Sequence, residues 1–368
     1  MNRLLRAFLF ISLCALILPL SGCRDQAAPK APQPEWARFT RREMGIFDTE
    51  ITLTGFAETQ EAFDRTAEKA LARLREYHQL FDAYSPYGEM HNLWYVNQYA
   101  AKGPVEVAPA FYDLLAWCRE KWDAGFRQTN ICMGSVLKIW HEYRTQGIAD
   151  PEHARLPSLE ALQRAAAHAD FDSLILDGEK RTVYFADPEM QLDLGAVAKG
   201  YAADLVLPLL KEEMPSFLLS LGGNVYAGRP PLDGRKNWNV GVQDPKASAL
   251  QVSVGGTDIL DVMEIHDLTA VTSGDYWRYY TVDGVRYHHI IDPDTLFPAQ
   301  GMVSVTIICE SSLLADYLST ALFILPQAEG RQMLEKIGNA EAMWVASDGS
   351  ISFTDGMRAY SRMLKTAE

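Results

Sequence analysis

The stretch from residue 193 to residue 200, DLGAVAKG, restricts the possible fold of this chain more than any other segment. An aspartate and a lysine lie six positions apart around a glycine, and an apolar helical pattern follows to about residue 213. This pattern predicts a strand, a glycine-bearing turn and a helix in succession. Free N–H groups at a helix N-terminus bind phosphate, so Asp193 and Lys199 are candidates for a phosphate and metal site. The alternative is an aspartate that caps the helix and a lysine that faces solvent.

Helices and strands are mixed along the rest of the chain, without a strict alternation of strand and helix. Hydrophobic periodicity predicts helices at residues 58–84, 109–124, 158–167, 198–213, 312–325 and 328–337. Short apolar or alternating runs predict strands at residues 51–53, 174–176, 182–185, 217–221, 238–242, 250–254, 259–264, 303–309, 342–345 and 351–353. The predicted fold class is therefore α+β or mixed α/β.

The N-terminal residues have the pattern of a bacterial secretion signal. Arg3 and Arg6 precede an apolar run at residues 7–20, which is too short to span a bilayer comfortably. The next small residues end at Cys23 in the sequence LSGC, which resembles a lipobox. This pattern predicts lipidation of Cys23. The alternative is an ordinary signal peptide, or a short anchor helix with a chance cysteine.

These features divide the chain into three predicted parts. Residues 1–22 are a signal peptide, residues 23–36 a lipidated N-terminus with a flexible tether rich in Ala, Pro and Gln, and residues 37–368 the functional domain. We expect a bacterial lipoprotein that faces the periplasm, held to the membrane by its acyl chains. Arg24 rather than aspartate follows the cysteine. By resemblance to sorted lipoproteins, this favours the outer membrane over the inner.

The charge balance argues against several classes of partner. The chain has 34 basic and 48 acidic residues, a net charge of −14. Such an acidic surface disfavours nucleic acid and electrostatic binding to anionic lipid. A divalent cation is the natural means by which an anionic ligand would be tolerated. Beyond Cys23, the three cysteines of the domain are scattered and form neither a disulfide framework nor a zinc pattern.

A second candidate site lies on the predicted helix at residues 312–325. Asp316 and Thr320 are four positions apart, so their side chains share one helical face. Two oxygen ligands on one face are a plausible half of a magnesium site. The alternative is an aspartate that stabilises the helix dipole and a threonine that bonds to its own helix.

The run YHHIIDP at residues 287–293 contains two adjacent histidines. Successive side chains of a strand point to opposite faces, so at most one of the two histidines can serve a given site. A histidine there could take a proton near neutral pH. The alternative is a half-buried histidine with an ordinary hydrogen bond. Glycine-bearing turns at residues 221–224 and 272–275 indicate close approaches of the backbone.

In this order and spacing, the motifs resemble those of the ApbE family, the FAD:protein FMN transferases, from about residue 44 to about residue 334. The resemblance implies an ApbE-like fold of mixed sheets flanked by helices. It also implies a Mg²⁺-dependent enzyme that transfers FMN from FAD to a threonine hydroxyl of an acceptor flavoprotein and releases AMP. The acceptor would be a membrane redox-pump subunit or a periplasmic flavoprotein reductase. Hydrolysis of FAD to FMN and AMP, and FAD binding without turnover, are the alternatives.

The resemblance assigns roles residue by residue. His289 matches the family's histidine and is the candidate base, whereas His288 matches nothing fixed. The backbone carbonyl of Ala196 and the side chains of Asp316 and Thr320 would bind Mg²⁺. The residues expected to contact FAD are Met44, Tyr84, Thr129, Asn130, Ile131, Asp193, Lys199 and Ile290.

Two departures from the family pattern concern the ligand site. Residues 129–132, TNIC, stand where the family usually has Phe-Asp-Pro-Thr, which would change how the adenine half of FAD is held. Leu296 stands where the family has glycine, and a leucine is expected to oppose a turn with positive φ. Neither departure touches Asp193, Lys199 or His289, so we expect the chemistry to survive.

Overall fold

A computed structural model describes residues 36–246 and 258–366 of the chain. In these ranges the strands are β1 (Ala37–Ile46), β2 (Thr49–Ala57), β3 (Val105–Glu106), β4 (Leu174–Asp177), β5 (Thr182–Phe185), β6 (Phe217–Leu221), β7 (Asn224–Ala227), β8 (Trp238–Gln243), β9 (Ile259–Ile265), β10 (Leu268–Gly274), β11 (Tyr279–Val282), β12 (Val285–His288), β13 (Met302–Cys309), β14 (Glu341–Ala346) and β15 (Ile351–Phe353). The helices are α1 (Gln60–Leu80), α2 (Leu93–Tyr99), α3 (Pro109–Asp123), α4 (Gly134–Ala149), α5 (Leu159–Ala166), α6 (Ala198–Glu213), α7 (Ser312–Ile324), α8 (Gln327–Ile337) and α9 (Arg362–Thr366).

The framework is an eight-stranded sheet in the order β1-β2-β6-β7-β10-β13-β14-β15. Every neighbouring pair in it is antiparallel. Three smaller antiparallel sheets accompany it, in the orders β3-β5-β4, β8-β9 and β11-β12. Helices and sheets without a regular βαβ repeat confirm the predicted α+β or mixed class. The predicted domain limits stay a prediction.

The two faces of the central sheet are covered differently. On one face, α1 and α6 pack against β2 and β6 around Phe63, Val206 and Leu219. On the other face, the hairpin of β8 and β9 packs Trp238 and Met263 against the sheet. Each large apolar side chain that is fully buried in this way stabilises the fold by about 1.5–3 kcal/mol. The two covered faces make the sheet a rigid platform for the loops and helix ends at its edge.

Helix α1 illustrates how the sequence determines an element and its end. The Thr59 hydroxyl caps the helix by accepting the N–H of Ala62 at 3.2 Å. The apolar positions of the predicted stripe are buried, namely Phe63, Ala67, Ala70, Leu71, Leu74 and Leu80. The helix ends at Leu80, before the predicted end at residue 84. The Asp82 carboxylate then accepts the N–H of Tyr84 at 2.7 Å, a turn that places Tyr84 in a loop.

Other expectations about elements need correction. The strand predicted directly before Asp193 is absent from residues 186–192. An isolated bridge joins Gln191 to Met133, and an extended segment leads into the turn. Helix α4 was not predicted, because its apolar residues do not form a clear stripe. The strands β1, β3, β7, β10 and β11 and the helices α2 and α9 were not predicted either. The predicted strand at residues 250–254 and the N-terminal signal and Cys23 lie outside the described residues.

No helix in residues 36–246 and 258–366 is both long enough and apolar enough to cross a membrane.

Candidate active site

Helices α6 and α7 bring two of the predicted motifs together. The N–H of Gly200, on α6, donates to Oδ2 of Asp316, on α7, at 2.9 Å. Lys199 Nζ lies 3.4 Å from Oδ1 of the same carboxylate. The contact is close because residue 200 is glycine: a Cβ there would lie 2.3 Å from the backbone oxygen of Ser312. The two interactions of Asp316 therefore join it to residues that lie 117 and 116 positions away in the chain, Lys199 and Gly200.

This close crossing leads to a prediction about stability. Gly200→Ala is expected to destabilise the fold by about 1–3 kcal/mol, because the added methyl group must displace backbone rather than a flexible side chain. Gly103→Ala, where a Cβ would meet nothing within 4 Å, is the control. Urea unfolding of the two variants measures the difference. Equal stability of the two variants would show that α6 and α7 can separate without cost.

Asp204 fixes the start of α7 from the facing helix. Its carboxylate accepts the N–H groups of Ser312 and Leu313 at 2.9 and 3.0 Å and the hydroxyl of Ser311 at 2.8 Å. Burial raises the pKa of Asp204, and the hydrogen bonds from the helix start lower it. Asp204 was not among the predicted site residues. Its spacing of one helical turn from Gly200 was the only available signal.

The carboxylate of Asp316 is the most buried charge of the site. Only 5% of its side chain is exposed, and burial raises its pKa while Lys199 lowers it. Thr320 follows one turn later on α7 and is half-buried, and Ala196 lies in the turn before α6. One carboxylate, one hydroxyl and one backbone carbonyl are hard oxygen donors, which suit Mg²⁺ that also keeps water or phosphate ligands. Across the described ranges, no group of three or more His, Cys, Asp and Glu residues has the arrangement of a metal site.

A serine pair connects α7 to the end of β10. The predicted turn at residues 272–275 is wrong, because residues 272–274 are strand residues paired with β13. The hydroxyls of Ser273 and Ser319 are 2.8 Å apart, and Ser319 donates to the backbone oxygen of Asp316 at 2.9 Å. This pair attaches α7 to β10. The Ser319 hydroxyl therefore has two hydrogen-bond partners within the protein.

Asp193 shapes the turn that leads into α6. Its Oδ1 accepts the N–H of Gly195 at 2.8 Å, and its own N–H donates to Ile131 O at 2.9 Å. The Asn97 side chain holds the preceding residue, Leu192, through its N–H at 2.8 Å and its carbonyl at 3.0 Å. Burial raises the pKa of Asp193, whereas the hydrogen bond from Gly195 lowers it. A carboxylate held this firmly is pre-organised to receive a hydrogen-bond donor of a ligand.

Tyr84 and Asp193 line a small cleft of about 140 Å³, together with Gly134, Lys138 and Gln191. The Tyr84 ring stacks on His141 of α4, with ring centres 4.5 Å apart and planes inclined by 27°. Tyr84 is 53% exposed, so part of its aromatic surface remains open. Arg144, one turn after His141, approaches His141 Nδ1 at 3.1 Å. His141 and Arg144 were not among the predicted site residues, because α4 was not predicted.

The two histidines have different surroundings. β12 ends at His288 and His289 lies just beyond it, so the expected alternation of side chains along one strand does not apply to this pair. His288 is buried, with Nε2 bonded to Ala299 O at 3.0 Å and Nδ1 accepting the N–H of Ile290 at 3.2 Å. His289 is partly exposed, and its Nδ1 is buried without a hydrogen-bond partner in the described structure. Burial, together with the charges of Arg278 and Arg144, lowers the pKa of His289 to about 3. The imidazole is therefore neutral at physiological pH.

The remaining predicted ligand residues are placed in varied surroundings. Thr129 and Ile131 are buried, and Thr129 donates to Tyr317 O at 3.3 Å. Asn130 donates to Ala169 O at 3.0 Å and accepts the N–H of Cys132 at 2.9 Å. Thr129 and Asn130 thus have hydrogen-bond partners within the protein, and Ile131 is packed in the core. Contact of these three residues with FAD stays a prediction.

The side chains of Met44 and Ile290 differ strongly in their exposure to solvent. Met44, near the end of β1, is 71% exposed, whereas Ile290 is 5% exposed and packs in the core. An exposed methionine is available to a ligand. For Ile290, packing beside His289 is the observed role, and direct ligand contact stays a prediction.

Leu296 adopts a positive φ, although a leucine was expected to oppose such a turn. Its φ is +63°, so the positive-φ turn is kept without glycine. The side chain is 7% exposed within a cluster that includes Trp140, and its backbone oxygen accepts Trp140 Nε1 at 2.9 Å. An L-residue in this region costs about 1–2 kcal/mol, which burial of the leucine offsets. The expectation was wrong because it considered the backbone without the packing.

The strain at Leu296 is measurable by comparing two truncations. Leu296→Gly is expected to be more stable than Leu296→Ala by about 1 kcal/mol, because both remove the packing but only glycine accepts φ +63° freely. At Gln163, exposed on α5, the order should reverse, with alanine favoured by about 1 kcal/mol. Thermal or urea unfolding of the four variants checks this. Alanine more stable than glycine at both positions would show that residue 296 is unstrained.

Comparison with known proteins gives the family. A model described as the ApbE family matches residues 47–344, most of the chain. The chain belongs to the ApbE family. A FAD:protein FMN transferase of Treponema pallidum (strain Nichols) is 34% identical to it over 286 residues, which cover 73% of this chain and 74% of that protein. One of Klebsiella pneumoniae (strain 342) is 31% identical over 265 residues, 72% of this chain and 77% of that protein.

Solved structures agree with this assignment. The crystal structure of the ApbE protein from Thermotoga maritima superposes with a TM-score of 0.74 at 26% identity, covering 89% of this chain and 100% of that one. The flavin transferase ApbE from Vibrio cholerae gives a TM-score of 0.70 at 20% identity, covering 90% of this chain and 99% of that one, and so supports the fold alone. These ApbE structures confirm the predicted fold, and the predicted family resemblance is correct.

Proposed function

We propose that this chain is an FAD:protein FMN transferase that moves FMN from FAD to a threonine hydroxyl of an acceptor flavoprotein and releases AMP. Membership of the ApbE family and the names of its relatives support a transferase with FAD as substrate. The observation that carries the assignment to these residues is the joining of Lys199, Gly200 and Asp316 at the crossing of α6 and α7. It places a cation and a backbone N–H beside a buried carboxylate.

FAD would bind across the cleft between the Asp193 turn and α7. The acceptor oxygen attacks the flavin-side phosphorus, so that a new bond from threonine oxygen to phosphorus forms. The bond from that phosphorus to the bridging oxygen breaks, and AMP leaves with that oxygen. The proton of the threonine hydroxyl passes to His289, whose ring is neutral in the free protein. The negative charges of the bound pyrophosphate would raise the pKa of this ring above about 3 and make it a stronger base. Lys199 lies where it can stabilise charge that develops on the pyrophosphate.

Mg²⁺ is the proposed metal. Asp316, Thr320 and the carbonyl of Ala196 would hold it, and when bound it would neutralise charge on the pyrophosphate. The oxygen donors and the buried carboxylate fit a hard cation of this kind. A test is incubation of the full chain with FAD, Mg²⁺ and a threonine-bearing flavoprotein subunit, followed by detection of flavin on denatured acceptor. A valine variant of the acceptor threonine is the control. Equal labelling of both acceptors would contradict transfer to threonine.

We also propose that Cys23 carries a lipid anchor that holds the enzyme at a membrane, facing the periplasm. Residues 23–36 would then separate the membrane from the catalytic domain. Cys23→Ser is expected to release the protein from the membrane fraction and to leave its catalytic activity unchanged, because anchor and site lie on different parts of the chain. Fractionation of cells followed by assay of both fractions measures this. A Cys23→Ser protein that stays with the membranes would contradict the lipid anchor.

A further inference from the structure

Arg144 and Arg278 each contact a neutral group of the protein. Arg144 Nη2 is 3.1 Å from His141 Nδ1, and Arg278 Nη2 donates to Phe47 O at 3.2 Å. Both partners are neutral groups. In the part of the chain that the structure describes, neither guanidinium forms an ion pair with a carboxylate, whereas Arg75, Arg235 and Arg362 each do. Two guanidinium charges are thus available to a ligand.

The two guanidinium groups act on the same part of the molecule. Arg278 contributes to a lowered pKa of Arg144, whose larger cause is burial. Both arginines also lower the pKa of His289, again after burial. The effect of a charge on the pKa of another group falls with distance, so Arg144 and Arg278 form one cationic group with the neutral His289 beside it. Asp193 lies beside it, and its pKa is lowered by the same two arginines against a larger raising effect of burial.

An aromatic surface adjoins this cationic group. Tyr84 stacks on His141, and Arg144 contacts the same imidazole. An arginine can only donate, so Nδ1 of His141 is an acceptor and its proton is on Nε2. A neutral imidazole behind an exposed tyrosine gives a flat support for an aromatic ligand. A phosphate ester attached to an aromatic ring system would match both parts of this surface.

Lys199 is less available for an anion than the two arginines. Its ammonium group lies 3.4 Å from the buried Asp316 carboxylate, which offsets much of its charge. A pyrophosphate carries two negative charges, and in a chain of net charge −14 it needs further cations nearby. Arginine suits this role because its planar group bonds to two phosphate oxygens at once.

We infer that Arg144 and Arg278 form the subsite for the flavin-side phosphate of the substrate, with the open surface of Tyr84 beside it for the flavin ring. This inference rests on the proposed function, since it assumes a flavin nucleotide as ligand. It assigns Lys199 and Asp316 to the adenylate-side phosphate, and the two arginines to the phosphoryl group that moves to the acceptor. Arg144 belongs to α4 and Arg278 to the segment between β10 and β11.

The test compares FMN with riboflavin, which share the ring and the ribityl chain and differ by the phosphate. Binding of each to the full chain is measured by flavin fluorescence with a chelator present, so that metal makes no contribution. Arg144→Gln and Arg278→Gln are each expected to weaken FMN binding roughly 10- to 100-fold, the usual effect of a lost hydrogen bond between charged groups. Riboflavin binding should stay unchanged. Arg144→Lys should recover part of the loss, because it keeps the charge without the planar group.

Arg73→Gln is the matched control, because Arg73 is an exposed arginine of α1 that pairs with Glu76. It should bind both flavins as the wild type does. An equal loss of FMN and riboflavin in the Arg144 and Arg278 variants would overturn the inference, since the arginines would then support the ring or the fold. Unchanged FMN binding with a raised KM for the acceptor protein would also overturn it, in favour of an acidic acceptor surface.

This outcome is separate from the outcome for the proposed function. FMN binding requires no transfer, so arginine-dependent FMN binding without labelling of any acceptor would support the subsite and contradict the transferase. Labelling of an acceptor, together with FMN binding that is unchanged in both arginine variants, would support the transferase and contradict the subsite.

Discussion

Asp316→Ala is expected to abolish transfer of FMN at ordinary Mg²⁺ concentrations. Asp316 is the one charged ligand of the proposed metal site, and the neutral oxygens of Thr320 and Ala196 bind Mg²⁺ poorly by themselves. The same substitution leaves the N–H of Gly200 without its acceptor and Lys199 without its carboxylate. The rate of acceptor labelling, measured over a series of Mg²⁺ concentrations, gives the effect.

Asp316→Asn separates the metal from the packing. The amide oxygen can still accept the N–H of Gly200, so α6 and α7 should remain together, but the charge is lost. We expect this variant to unfold like the wild type and to transfer as little FMN as Asp316→Ala. Activity of Asp316→Asn close to that of the wild type at ordinary Mg²⁺ would show that this carboxylate does not bind the metal.

His289→Ala is expected to lower the transfer rate by roughly 10²–10⁴-fold, the usual contribution of a general base. FAD affinity should change little, because a neutral imidazole adds no charge to the phosphate site. The measurement is the rate of acceptor labelling at saturating FAD, together with the Kd for FAD. A variant with unchanged rate, or one that fails to fold, would return His289 to a purely structural role.

The pKa of His289 gives this prediction a pH dependence. Its value of about 3 lies below the ordinary 6.5, so the folded protein keeps the ring neutral as pH falls to about 3. The unfolded chain takes up the proton near pH 6.5, so His289 lowers the stability of the fold below that pH. We therefore expect no loss of kcat/KM from His289 protonation between pH 8 and pH 5. A loss centred near pH 6.5 that His289→Ala removes would contradict the burial of this ring.

His288 supplies the matched comparison. His288 is buried and bonded to Ala299 O and to the N–H of Ile290. His288→Ala is therefore expected to destabilise the fold and to leave the rate per folded molecule near that of the wild type. A lower transfer rate in His288→Ala, together with a loss of stability alone in His289→Ala, would show that His288 is the base and His289 the structural residue.

The local geometry of the candidate site was predictable, because it depends on short patterns. The turn before α6 and the helical face of Asp316 and Thr320 follow from residue spacing alone. The apolar stripe of α1 is also local and follows from periodicity. Such features need only a few neighbouring residues.

The features that required the structure are long-range. The contact of Gly200 with Asp316 joins residues 116 positions apart, and no spacing rule predicts that a glycine serves a helix crossing rather than a turn. Asp204 caps a helix more than 100 residues away for the same reason. Leu296 shows the limit of backbone rules, since tertiary packing holds a leucine at a positive φ.

Helix α4 was not predicted because its apolar pattern is irregular, and not because it depends on residues far away in the chain. Its buried residues include only Gly134, Val136, Trp140 and Gly147, so the apolar stripe is interrupted. Two of its polar residues, His141 and Arg144, face the site beside Tyr84. A helix that presents polar groups to a ligand on one side shows weak amphipathicity in its sequence, because function and burial use different residues.

The amount of AMP released for each FMN bound to acceptor protein tests the central claim most directly. The full chain is incubated with FAD, Mg²⁺ and acceptor, and AMP, free FMN and protein-bound FMN are quantified together. We predict equal amounts of AMP and protein-bound FMN, with no free FMN above the level without enzyme. AMP matched by free FMN would identify a pyrophosphatase, and bound FAD without AMP would identify a binding protein. Either result would contradict a transferase.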